Sequence, residues 1–180
     1  GAYAGLFGYI DGASIQNLNI GITMSGGNLT GALIGMATNS KITNCYTSGT
    51  LTTESNYSKI GGLCGYIGSS HIIGCGSNVN IISGYFIGGL LGYAYNNCVI
   101  VNCFSQGSVE GIHATNGGVG GLIGELFNSY CLINSYSTSS VNAISTTYIG
   151  GLLGYRALNA AATPVTDSFW NTTIVDDATQ

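Results

Sequence analysis

Apolar residues come along this chain in short clusters, separated by Gly, Asn and Ser, and the clusters recur. Residues 85–93 read YFIGGLLGY and residues 147–155 read TYIGGLLGY. A relaxed form of the phrase, Gly-small-Leu-apolar-Gly, occurs six times, as AGLFGY, GALIGM, GGLCGY, GGLLGY, GGLIGE and GGLLGY. Its anchor leucines are Leu6, Leu33, Leu63, Leu90, Leu122 and Leu152, spaced by 27, 30, 27, 32 and 30 residues. A second apolar cluster follows each anchor, starting at Ile15, Ile42, Ile72, Ile100, Leu132 and Val165. Two residues on stand Asn17, Asn44, Gly74, Asn102, Asn134 and Asp167, and the next column holds Leu18, Cys45, Cys75, Cys103, Ser135 and Ser168. Aromatics then recur at Tyr46, Phe104, Tyr136 and Phe169, and a third patch closes several copies at Leu51, Val79, Val109 and Val141.

Each copy thus holds two or three short apolar segments. Helices are excluded, since each Gly inside a helix costs about 1 kcal/mol relative to Ala and every segment carries several. β-branched and aromatic residues bounded by turn residues predict strands. A period near 30 residues with such strands is the signature of a β-solenoid, whose single coil buries nothing alone and whose stack makes a continuous core. The expected fold is therefore all-β, a parallel β-helix-like solenoid of about six coils, roughly 29 Å long at about 4.8 Å per coil. The phrase GGLLGY reads as a corner plus a core strand. Gly88–Gly89 is expected to bend the chain where backbones approach closely, and Gly92 to turn it with positive φ. Residues 1–155 form the repeats, and residues 156–180, holding the lone Pro164 and lone Trp170, read as a terminal coil with capping character. No comparable change of pattern precedes Tyr3, so the first coil is expected to present an open edge.

Composition narrows the function. With 45% hydrophobic residues and a net charge of −4 the chain is not of the disordered class. Only three residues are basic, Lys41, Lys59 and Arg156, too few to neutralise a run of phosphates, which excludes nucleic-acid binding. No apolar run approaches the length needed to span a bilayer as a helix, and no signal-peptide pattern is visible. The first residue is Gly1, not Met, which is expected of a processed chain or of a piece of a longer one.

The recurring Gly-Leu-apolar-Gly, followed 11 or 12 residues later by Asn-Cys-aromatic and a Gly/Ser-rich step, resembles the GLUG repeat, over residues 4 to about 155. The copies depart from the pattern at Met36, Gly74 and Glu125. GLUG repeats occur in large secreted or surface-attached proteins, including filamentous-haemagglutinin-like adhesins and the non-catalytic region of some immunoglobulin A peptidases. The resemblance implies an extracellular or cell-surface solenoid serving as stalk, display surface or adhesive module.

Catalysis finds little support. Zinc peptidase chemistry needs two histidines one helical turn apart with a glutamate base. Here His71 and His113 are 42 residues apart with no acidic neighbour at that spacing. The seven acids, Asp11, Glu54, Glu110, Glu125, Asp167, Asp176 and Asp177, occupy different phases of the repeat and build no carboxylate pair. No enzyme, cofactor or metal is expected. Cys45, Cys75 and Cys103 share a column with Leu and Ser, and Cys64 takes a slot held elsewhere by Phe, Ile and Leu, so the thiols read as small core side chains. Cys98 and Cys131 are the pair best placed for a bridge, against which the packing reading still stands.

Three sets of candidate residues remain. Asn17, Asn44, Asn102 and Asn134, with Asp167, are expected to stack at a corner as a hydrogen-bonded structural ladder. Tyr9, Tyr66, Tyr93 and Tyr155 form a column that reads either as a contact strip for glycan or protein or as packing between coils. Asn28, Asn56 and Asn171 open N-glycosylation sequons. Two functional readings follow: a non-enzymatic structural or adhesive module of a surface or secreted protein, and a subunit that stacks with itself into an extracellular filament.

Overall fold

The computed structural model describes residues 3–53, 58–83, 85–112, 117–128, 131–144, 148–157 and 164–171, with the backbone of Val175–Asp176. Every regular element among them is a strand, and neighbouring strands run parallel in register. The molecule is a β-solenoid of six layers joined by five steps of about 30 residues.

One coil shows the plan. Lys59–Gly61 lies in a first sheet, Cys64–Gly68 in a second, His71–Ile73 in a third and Gly76–Ser83 in a fourth. Each coil therefore contributes four strands where two or three were expected. The difference has a local cause. Strands such as Lys41–Thr43 and His71–Ile73 are three residues long, too short to display alternation, and the GGL phrase divides one apparent apolar segment between two sheets. The repeat columns become ladders: Ile15, Ile42, Ile72, Ile100, Leu132 and Val165 are successive partners in the third sheet. Within the tail, Val165–Thr166 and Phe169–Trp170 pair with the coil before them.

Two corners per coil turn through a residue with left-handed backbone. Asn17, Asn44, Gly74, Asn102, Asn134 and Asp167 have φ between 48° and 64°, the turn from third to fourth sheet. Gly12, Asn39, Ser69 and Asn97 serve the turn from second to third, with φ between 47° and 63°. Gly and Asn are the residues that reach this region at least cost, Gly for want of a Cβ and Asn through its short polar side chain. Each turn is followed by a small residue whose side chain works on the backbone. Ser40 accepts from the Ala13 amide at 3.0 Å and donates to the Thr38 carbonyl, and the Ser40 amide in turn donates to Ser70. Cys45 donates to Thr43, while its amide donates to the Cys75 sulfur at 3.4 Å, and the Cys103 amide donates to Ser135 at 3.1 Å. Thiol and hydroxyl do the same job here, which is why Cys and Ser interchange in the column.

The three glycines of the phrase all stand where backbones crowd. Gly92 lies inside the strand Leu91–Tyr95 and is absent from the positive-φ glycines, which are Gly12, Gly49, Gly74 and Gly107, so the expected turn at Gly92 is corrected. A Cβ there would sit 2.5 Å from the Ile60 nitrogen and 2.6 Å from the Gly65 oxygen. Gly121 faces the Ser137 side chain across the interior, as Gly62 faces Ser77 and Gly89 faces Ser105. These small-on-small contacts pinch the interior into two apolar compartments. Leu33, Leu63, Leu90 and Leu122 fill one together with the third-sheet ladder. Ile60, Ile87 and Val119 meet Leu51, Ile81 and Val109 in the other. Full burial of each such side chain contributes about 1.5–3 kcal/mol.

Candidate functional site

The outer faces of the first and second sheets meet in a narrow wedge, closed at its apex by the glycine contacts and filled farther out by side chains. From the second sheet come Tyr9, Met36, Tyr66, Tyr93, Glu125 and Tyr155, successive partners in register. From the first sheet come Tyr3, Leu29, Lys59, Phe86, Gly118 and Tyr148. The two rows pack on each other. Tyr148 and Tyr155 have ring centroids 4.5 Å apart, Phe86 stands edge-on to Tyr93 at 5.5 Å, and Tyr3 and Tyr9 lie 6.1 Å apart. Along the column Tyr66 stacks on Tyr93 at 5.5 Å with planes 8° apart. Tyr9 alone of the four tyrosines is exposed, and its hydroxyl lies 3.0 Å from Thr38 Oγ1.

Glu125 breaks the tyrosine column and is 5% exposed. Burial pushes its carboxyl up to about 7, against the opposing pull of the Lys59 ammonium. Burial lowers Lys59, with Glu125 acting the other way. The Lys59 ammonium sits 5.1 Å from the Tyr93 ring centroid and 6.0 Å from that of Phe86, within cation–π range. Burial, and then Glu125, raise the Tyr93 hydroxyl. The opposing first-sheet position is Gly118, so the smallest residue of that row faces the one carboxylate of the other. Sequence reading placed Glu125 as a mere departure; its partner Lys59 is two coils away, and no local pattern joins them.

The asparagine column sits at the exposed corner. Asn134 donates to the Asn102 side-chain oxygen at 2.6 Å, and Asn44 to that of Asn17 at 3.5 Å. Gly74 interrupts the ladder between them, and Asp167 ends it with φ 50°. A further ladder runs beside it on the fourth sheet. Phe104 stacks on Tyr136 at 5.5 Å, Tyr136 on Phe169 at 5.7 Å, and Phe104 leans across Gly76 to reach Tyr46 at 6.1 Å. In both aromatic ladders neighbouring rings cover each other's faces, leaving mainly edges outward.

All six cysteines are free thiols, five of them buried and Cys131 half-buried. Burial pushes Cys64 well up, Cys75 to about 12 and Cys103 to about 11, which keeps them protonated and unreactive. Among the described residues no three His, Cys, Asp or Glu side chains gather to hold a metal, and no helix is long and apolar enough to cross a membrane. Of the sequons, Asn28 is exposed while Thr30 is fully buried with its hydroxyl donated to the Gly27 carbonyl. Asn171 is exposed, and Asn56 lies outside the described residues.

A family model described as the GLUG motif matches residues 83–110, the stretch from the fourth GGLLGY anchor through Asn102, Cys103 and Phe104. That match supports assignment to the GLUG-repeat family, and the register of the sheets carries the same columns through the other coils. No curated protein and no solved structure matches the chain.

Proposed function

We propose that this GLUG-repeat solenoid is a non-enzymatic structural module, extracellular or at the cell surface, acting as a stiff stalk. The observation that carries the reading is where its ladder side chains point their chemistry. Tyr66 and Tyr93 stack on each other, and Asn134 bonds Asn102, so most of both candidate contact columns holds coil to coil. A sugar-binding strip needs aromatic faces open to the ligand, whereas stacked rings stabilise the stack itself. Low charge and four sheets in register suit a rod whose length follows the number of coils. Immunolabelling of intact source cells tests the location: surface or medium signal supports the stalk, and signal found only inside the cell overturns it.

A second reading, self-assembly into an extracellular filament, draws on the apolar residues at the two end layers. Leu6, Phe7 and Tyr9 are 55%, 37% and 51% exposed in the first layer, and Phe169 and Trp170 are 61% and 47% exposed in the last. Parallel strand edges there offer unpaired amides and carbonyls to another coil. Electron microscopy of native material separates the two: ordered fibres with a strand spacing of about 4.8 Å favour the filament, and discrete short rods favour the stalk.

A further inference from the structure

A small cleft opens where the second sheet turns into the third, across the first three coils. It has a volume of about 290 Å³ and is lined by Gly12, Ala13 and Ser14 of the first coil, Asn39, Ser40 and Lys41 of the second, and Ser69 and His71 of the third. Ser14, Lys41 and His71 are consecutive partners in the third sheet, all exposed, so their side chains stand about 4.8 Å apart along one row. In a chain with three basic residues and a net charge of −4, a lysine and a histidine share this one row. Neither side chain has a hydrogen bond or ion pair among the described residues. The nearby Asp11 carboxylate is engaged elsewhere, accepting from Thr38 and from the Asn39 amide at 2.9 Å each.

The remaining polar groups can be accounted for one by one. Ser40 is closed, accepting from Ala13 and donating to Thr38. Open to a ligand are the Lys41 ammonium, the His71 ring, the Ser14 and Ser69 hydroxyls and the side-chain oxygen of Asn39. Two adjacent cationic or donating groups favour one anionic head, and hydroxyls with an amide oxygen favour neighbouring alcohols. The cleft is far roomier than a bare oxyanion needs and lies at the small end of ligand-site volumes. We propose that it binds one carboxylate-bearing sugar residue, with Lys41 and His71 on the carboxylate and Ser14, Ser69 and Asn39 on the ring hydroxyls. This site lies outside both aromatic ladders and does not depend on the stalk reading.

Titration of the purified chain with glucuronate, followed by NMR or calorimetry, tests the site, with glucose and inorganic sulfate as comparison ligands. Saturable binding with a dissociation constant of about 1 mM is expected, as befits a ligand of this size. Lys41→Ala and His71→Ala should each weaken it several-fold, with unchanged thermal melting because both side chains are exposed. Absence of saturable binding well above that concentration, or binding indifferent to both substitutions, overturns the proposal. Equal affinity for sulfate overturns the sugar assignment, and equal affinity for glucose overturns the role of the two basic groups.

Discussion

Gly92 of the fourth coil is pressed against Ile60 of the third: a Cβ on the glycine would come within 2.5 Å of the isoleucine's backbone nitrogen. Gly65 stands in the same relation to Thr30 and Gly124 to Ile87, so each coil is keyed to the one before it through its second-sheet glycine.

Because the neighbour is backbone, it has nowhere to move. Gly92→Ala is expected to destabilise the fold by about 3 kcal/mol, the upper part of the range for overpacking. Gly12→Ala has open space around it and meets only the left-handed penalty of about 1 kcal/mol. Denaturant unfolding of the two variants checks the ordering, and a Gly92 variant as stable as the Gly12 one would sink the keying argument.

At the corner, conformation outweighs the amide ladder. Asn102→Gly keeps the backbone free to hold φ 56° and loses the bond from Asn134, a cost of about 1 kcal/mol. Asn102→Val loses the bond and forces a β-branched residue into the left-handed region, which should cost 2 kcal/mol or more, about. Gly74 occupies the equivalent position in the third coil without any side chain.

Glu125 makes stability depend on pH. Its folded value of about 7 lies above the model value of 4.5, so over that interval the folded chain binds more protons than the unfolded one. Stability therefore falls as pH rises from about 5 to 8, by about 1–3 kcal/mol, with Lys59 on the first sheet and Tyr93 and Tyr155 on the second facing the carboxylate. Glu125→Gln should flatten the profile and stabilise the chain at pH 8. A wild-type melting temperature that rises across this interval would contradict the assignment.

The thiols should separate by access. Cys131 is half-buried and the other five are buried, so a thiol reagent added to native protein is expected to label Cys131 first, the rest reacting only on unfolding. Cys103→Ser should be tolerated, since Ser135 and Ser168 fill that column already, while Cys103→Val removes the acceptor and donor together. Mass spectrometry of time-resolved labelling reads the first outcome directly.

The period was legible because stacking demands that equivalent residues occupy equivalent environments: Ile42, Ile72, Ile100 and Leu132 align in the text as in the sheet. The second corner was not legible. Gly12, Asn39, Ser69 and Asn97 do the work of the asparagine column, but their identities vary and the spacing around them shifts by a residue. The division into four sheets was hidden by three-residue strands, and Gly92 was misread because close approach and positive φ both select glycine. The wedge pair Lys59 and Glu125, and the row of Lys41 with His71, arise only when separate coils are laid on each other.

The sheets run parallel and in register from layer to layer, so their interstrand hydrogen bonds lie along the axis of the stack. A pull between the two ends of the chain therefore meets those bonds in series, one layer after another, and the outermost layer peels before any inner one is loaded to failure. Each release frees about 30 residues, roughly 100 Å of extended chain. Under tension such a rod behaves as a stepwise shock absorber, lengthening by fixed increments while the remaining layers keep their shape.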